Sequence, residues 1–200
     1  MTSYNRYGSN NLNYLWIIMI LNFLVFLVTT FNHDLIYVFG VSALTFLQQP
    51  WTILTSMFTH SGFWHIVANM MTLYFFGSFL IRLIGEGRMA TIYLIGGLVG
   101  NLLYLAFGYL SILGASPFSI AVGASGAVFA LGGALAMLAP NVKVITFPIP
   151  VPMPLWIAVI GGFFIISLLP GIAWEGHLGG LIVGLLAGLF LKKRVAPPLF

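Results

Sequence analysis

The sequence predicts an all-α membrane protein: a bundle of six transmembrane helices with a first external loop lying in the membrane interface. Three observations predict it. Of the 200 residues, 60% are hydrophobic and 5% charged, against about 25% charged in an ordinary soluble domain. Six apolar segments, near 13–31, 63–83, 90–110, 122–139, 153–169 and 175–191, approach the ~20 residues that a helix needs to cross the hydrocarbon core. With six crossings, every Lys and Arg in the chain falls on one side.

Composition also excludes classes of function. A mean hydropathy of +1.09 leaves too little polar surface for a soluble enzyme or a disordered tail. The pI is 9.6, but seven Lys and Arg are too sparse to track a phosphate backbone, so no nucleic-acid partner is expected. The absence of Cys removes disulfides, iron–sulfur clusters and thiolate zinc sites.

The segments are punctuated by polar, Gly or Pro residues. The first, after Arg6, is too long for a signal-peptide core and no small-x-small cleavage site follows, so an uncleaved helix is expected. The apolar run Leu35–Leu47, of about 13 residues, is short for a crossing and reads as a loop in the interface. Gly85-Glu86-Gly87-Arg88, Gly114 to Pro117, Pro140-Asn141 and Pro170-Gly171 separate the later segments. No strand pattern, internal repeat or soluble appendage is visible, and residues 1–200 read as one polytopic domain. The cations are Arg6, Arg82, Arg88, Lys143, Lys192, Lys193 and Arg194. The positive-inside rule makes their side, with both termini, cytoplasmic, most simply at a cell membrane.

Neutral polar residues at membrane depth are the candidate site. Gly123-Ala124-Ser125-Gly126 opens the fourth segment. A Ser there is ordinarily an N-cap; as a nucleophile, its flanking glycines would admit a substrate backbone. The soluble hydrolase elbow is only partly met, because Ala127 stands at its last position and no strand precedes it. A nucleophilic Ser needs a base, usually His. His177 heads a glycine stripe, Gly180, Gly184 and Gly188, along one face of the sixth segment. Small-residue faces let membrane helices pack backbone to backbone. A matching face on the fourth segment, Ser125, Gly132, Gly133 and Ala136, would bring Ser125 to His177. Plain helix packing is the alternative. In the second segment, His65 and Asn69 share a helix face, with His60 just upstream. Both offer N–H groups to an oxyanion; helix–helix hydrogen bonding is the alternative for Asn69.

Taken together, Gly123–Gly126, His177 with its glycines, and His60…His65…Asn69, in that helix order, resemble the rhomboid intramembrane serine proteases in their minimal six-helix form. The resemblance covers essentially the whole chain. It implies a rhomboid-like bundle in which Ser125 is the nucleophile and His177 the general base and then acid. The oxyanion hole would come from the Ser125 amide, His65 and Asn69. Phe129 stands where the family has an aromatic ring supporting the catalytic His. Implied partners are membrane lipid and a single-pass transmembrane substrate, cut near its outer end after a small residue and before helix-weakening ones. No cofactor or metal is implied, and the oligomeric state is left open. A gap beside the fifth helix, capped by the loop Leu169–Trp174, is the implied entry. Two departures stand out. Some members carry Trp-Arg in the first external loop, where this chain has Trp51-Thr52, and some carry a carboxylate at the end of the second helix, where this chain has Phe79–Ile81.

Glu175 is two residues from His177 and so points away from it on a helix, which favours a Ser–His dyad over a triad. The base must be neutral, and an unperturbed imidazole is mostly neutral at pH 7, so activity is expected to fall on acidification. Three other readings compete. Zinc on His60, His65 and His177 lacks an HExxH, and the five-residue step from His60 to His65 places them on different helix faces. A catalytically silent rhomboid-like protein that binds transmembrane helices would usually lack the Ser or the His. A small transporter would carry charged or broken-helix sites at mid-membrane, and none is seen.

Overall fold

The computed structural model describes residues 11–146 and 149–192; Arg6, Lys193 and Arg194 lie outside them. The chain is mainly helical. The first helix, α1 (Asn13–Phe31), is apolar almost throughout and ends where Asn32 turns extended. Its polar residues donate to their own backbone: Asn22 Nδ2 to Ile18 O at 2.8 Å and Thr29 Oγ1 to Val25 O at 3.0 Å, which lowers the cost of burying them.

The run expected as an interfacial loop holds a short helix, α2 (Leu35–Phe39), and then folds inward. Val41 and Ala121 exchange backbone hydrogen bonds of 2.9 and 2.8 Å, and Val41, Ser42 and Ala43 are buried. Another short helix, α3 (Thr52–Thr55), runs into a 3-10 turn at Ser56–Phe58. Without an Arg after Trp51, this loop is anchored by neutral donors. Trp51 Nε1 donates to Val38 O at 2.9 Å, and Thr55 Oγ1 to Phe39 O at 2.8 Å. Thr52, fully buried, donates to Gln49 O at 2.6 Å.

Next come α4 (Phe63–Ile84) and α5 (Glu86–Leu110), separated by Gly85, whose φ of +86° disfavours any other residue. At the end of α4, Leu80 and Ile81 are buried in the main core, so apolar packing fills the stretch Phe79–Ile81. Central to the bundle is α6 (Ser125–Leu138). Seven consecutive residues, 130–136, are buried, so every face of the helix is covered, as expected of a helix that is apolar on every side.

After α6 the chain departs from the all-α expectation. Strands β1 (Lys143–Thr146) and β2 (Ile149–Pro154) form an antiparallel hairpin, with Lys143 opposite Pro154 and Val144 opposite Met153. Pro150, Pro152 and Pro154 cannot donate to a helix ladder, and their fixed φ suits an edge strand. The last two helices are α7 (Leu155–Ser167) and α8 (Trp174–Lys192). Among the described residues four helices, α1, α4, α5 and α8, are long and apolar enough to cross a membrane. The remaining two apolar helices are shorter than expected, α6 with 14 residues and α7 with 13. Extended chain precedes α6, and Pro154 delays the start of α7.

The closest packing is between α6 and α8. A Cβ on Gly180 would run into Gly126 O, one on Gly184 into Ala130 O, and one on Gly188 would sit 2.7 Å from Ala134 O. The glycine stripe of α8 thus meets the α6 row Gly126, Ala130 and Ala134, with Gly133 against Leu181 O. This corrects the expected facing row. Gly132 instead meets Phe76 of α4 and Val159 of α7, because the i, i+4, i+8 row of a helix is the one that stays aligned with a neighbour at close approach.

Candidate active site

Three helix starts meet at one end of the bundle. Ser125 is the first residue of α6, His177 lies in the first turn of α8, and His65 is the third residue of α4. The N-cap of α6 is Ala124, without a side-chain cap, so Ser125 is not engaged as a helix cap. Its Oγ lies 2.7 Å from His177 Nε2 in a side-chain hydrogen bond. The glycine contacts of α8 with Gly126 and Ala130 bring the two helices close enough for that bond.

The His177 ring is buried. Its face is covered by Phe129, one turn after Ser125, at 4.8 Å between centroids and 40° between planes. Phe163 of α7 backs Phe129 edge-on at 5.8 Å. His177 Nδ1 is buried and has no hydrogen-bond partner among the described residues. Glu175, also buried, makes no bond to it.

The turn before Ser125 is held from below. Gly123 has φ +129°, a backbone region open essentially to glycine. Its N–H donates to Ser56 O at 2.9 Å. Ser56 Oγ in turn accepts from Asn101 Nδ2 at 2.8 Å, and the same amide donates to Ile53 O at 2.7 Å. Sequence reasoning missed Asn101 and Ser56. The available signal was the one used for Asn69: an Asn inside an apolar segment requires a partner.

His65 and Asn69 lie on one face of α4, as expected. The Nε2 of His65 borders Gly123: a Cβ built there would be 2.8 Å from Nε2 and 3.6 Å from Ser125 Oγ. Its Nδ1 faces Ser61, with Ser61 Oγ at 3.0 Å and Ser61 N at 3.4 Å. Asn69, largely buried, donates one N–H to His65 O at 2.9 Å within its own helix, so that donor neither joins helices nor reaches Ser125.

The expected separation of His60 from His65 is corrected. His60 precedes the helix rather than sitting on it, and its ring meets that of His65 edge-on, with centroids 5.0 Å apart. Buried behind His65, neither nitrogen of the ring makes a protein hydrogen bond in good geometry. Burial pushes its pKa down to about 3, the neighbouring His65 adds to this, and the Phe58 backbone partly offsets it. Among the described residues no three His, Asp or Glu groups are placed to hold a metal ion.

Beside Ser125 is a small cavity of about 20 Å³, lined by Asn101, Tyr104, Val122, Gly123 and His177 among others, which is room for one water. Chemically, a hydroxyl bonded to an imidazole, with a second ring nitrogen facing the same space, can support acyl transfer.

Apolar helices long enough to cross a bilayer, packed around a shorter one that carries Ser125, define an integral membrane protein. Comparison with known proteins then gives the family. A Rhomboid domain model matches residues 47–194, and the chain belongs to the rhomboid family. It is 32% identical over 152 residues to the mitochondrial Rhomboid protein 1 of Saccharomyces cerevisiae, covering 72% of this chain and 42% of that protein. RHOMBOID-like protein 4 of Arabidopsis thaliana is 36% identical over 153 residues, 74% of this chain and 35% of its own. Rhomboid protease GluP of Bacillus subtilis is 32% identical over 164 residues, 80% of this chain and 30% of its own. The matches thus span less than half the length of these relatives.

Proposed function

We propose that the protein is an intramembrane serine endopeptidase that cuts single-pass transmembrane substrates near the outer membrane face. The observation that carries this reading is the 2.7 Å hydrogen bond between Ser125 Oγ and His177 Nε2. Family membership supports it, as does the name of the GluP relative.

In this reading Ser125 Oγ adds to the scissile carbonyl carbon while its proton passes to His177 Nε2. The carbonyl oxygen becomes an oxyanion held by the Ser125 amide and His65, with Asn69 turning a second N–H toward it. Collapse breaks the C–N bond, and His177 returns the proton to the leaving amine. A water then attacks the acyl ester, giving its proton to His177, and the release of Ser125 leaves a carboxylic acid product. With Nδ1 of His177 free of any protein carboxylate, two residues rather than three carry the proton traffic. Phe129 and His60 serve as packing supports behind His177 and His65.

We further infer that α6 and α7 complete six spans. Helix α6 has 14 residues, about 21 Å at 1.5 Å per residue, against ~30 Å of hydrocarbon. Its first residue, Ser125, would then lie below the outer surface. Arg82 lies in the last turn of α4, Lys192 ends α8, Lys143 opens β1 after α6, and Arg88 lies in the first turn of α5. All four are at the end of the bundle opposite the site, in keeping with an outward-facing site and a cytoplasmic cationic side. Multi-pass insertion in a cell membrane with cytoplasmic termini is the corresponding localisation.

The test is reconstitution in liposomes with a single-span substrate carrying a small residue near its outer end, the fragments being identified by mass spectrometry. Wild type should cleave and Ser125→Ala should not. Equal cleavage by both overturns the proposal. Cleavage by neither, across varied substrates, favours a catalytically silent protein that binds transmembrane helices.

A further inference from the structure

Ser61 takes no part in the chemistry described above, yet it is the hydrogen-bond partner of His65. Its backbone N–H lies 3.4 Å from His65 Nδ1 and its hydroxyl 3.0 Å from the same nitrogen. A backbone N–H can only donate, so Nδ1 must be the acceptor. In a neutral imidazole the proton then resides on Nε2. That nitrogen faces the space beside Gly123, where a built Cβ would lie 2.8 Å from Nε2 and 3.6 Å from Ser125 Oγ. The nucleophile and the ring N–H thus flank one small volume, kept open because residue 123 has no side chain.

Local chain geometry explains the pairing. Gly62 is the N-cap of α4 and has no capping side chain. His65, at the third helical position, reaches back toward the N–H of Ser61, as the Glu of a capping box reaches back to a free amide. Ser61 is exposed, so packing does not account for its placement. The edge-on contact with His60 limits ring motion from the other side.

We propose that Ser61 is a positioning residue for catalysis: it fixes the tautomer and ring orientation of His65, so that an Nε2–H rather than a lone pair faces the oxyanion. This rests on the assignment of His65 to the oxyanion hole. The other tautomer would present a lone pair to developing negative charge, which is repulsive, and a flipped ring would place a C–H where the N–H is needed.

Four measurements test it. In Ser61→Ala the backbone donor remains and only the hydroxyl bond is lost, so kcat should fall about two- to tenfold, the worth of one hydrogen bond, with KM unchanged. Ser61→Thr, which keeps the hydroxyl, should recover most of that loss. In a His65→Ala background Ser61→Ala should add no further loss, because the residue acts only through His65. The tautomer is read directly from the ring ¹⁵N shifts of His65 in a Ser125→Ala protein. Wild-type Ser61 should show an Nε2-protonated ring, and Ser61→Ala a mixture or an altered Nδ1 shift. Wild-type kinetics and an unchanged spectrum for Ser61→Ala overturn the proposal, and so does an equal loss in the His65→Ala background. Failure of the protease reading shows differently, as cleavage that survives Ser125→Ala, and the ¹⁵N spectrum still reports what Ser61 does to His65.

Discussion

The Oγ of Ser125 and the Nε2 of His177, separated by 51 residues of chain that include the hairpin and α7, lie 2.7 Å apart at the starts of two helices that touch backbone to backbone. If the pair works as one unit, its members are not independent. Ser125→Ala and His177→Ala should each lower kcat/KM by at least about 10³-fold, and the double variant should be little worse than either. Additive losses in a fluorogenic transmembrane-peptide assay would count against a dyad.

His60 supplies a stability test. Its pKa is held at about 3 by burial, against about 6.5 in an unfolded chain. Between these values the unfolded state binds more protons, so stability rises with pH there, by up to about 1.4 kcal/mol per unit. Stability is therefore full above about pH 6.5 and declines toward pH 3. Thermal unfolding in detergent should show a smaller acid loss for His60→Phe than for wild type. Identical losses would refute this role for His60.

Gly184 faces Ala130 O across the α6–α8 contact, where a Cβ has no room. Overpacking of this kind typically costs about 1–3 kcal/mol. Gly184→Val should lower the melting temperature and also separate His177 from Ser125, reducing activity beyond the loss of folded protein. Gly161, whose Cβ would meet nothing within 4 Å, is the control: Gly161→Ala should leave the melting temperature near wild type.

Asn101 ties α5 to Ile53 and Ser56, and Ser56 O holds the Gly123 turn. Removing the amide leaves part-buried acceptors unpaired, at about 1–3 kcal/mol. Asn101→Ala should be destabilised by that order in equilibrium unfolding, with kcat falling as the turn before Ser125 loosens. Asn101→Asp, which keeps the shape but lacks the donors, should fare no better. Wild-type stability in both would remove Asn101 from the scaffold of the site.

Gly123 combines a φ of +129° with the open space between His65 Nε2 and Ser125 Oγ. Gly123→Ala places a methyl group in that space and strains the turn. Activity should fall by 10²-fold or more, about the cost of one lost oxyanion donor, while the helical circular dichroism is retained. Near-wild-type cleavage would show that the oxyanion does not form there.

Much of this chain is legible without coordinates, and the reason is its solvent. A bilayer leaves few polar residues, so each one that remains requires an explanation. Ser125, His177, His65 and Asn69 stand out for that reason, and the glycines after His177 announce a close helix contact. Composition and segment length likewise mark a helical membrane protein. Spacing, however, leaves the facing row on α6 open. Gly132 looks equivalent to Gly126 in sequence, and only the rotation of α6 in the bundle puts Gly126, Ala130 and Ala134 against α8. The five-residue step from His60 to His65 implied separate faces, because periodicity says nothing about a residue just outside a helix. Nor does it show that proline-alternating residues after Asn141 pair as strands.

What the sequence by itself determines is the kind of protein and which polar residues are candidates for its site, since apolarity and isolated polar residues are local properties. What only the tertiary structure decides is which atoms meet: Nε2 of His177 with Ser125, Nδ1 of His65 with Ser61, and the Asn101 amide with Ser56 beneath the Gly123 turn. These are contacts between residues distant in the chain, or across a helix start. Hydrogen bonds depend on distance and angle to within tenths of an ångström, and helix packing, not residue type, sets those.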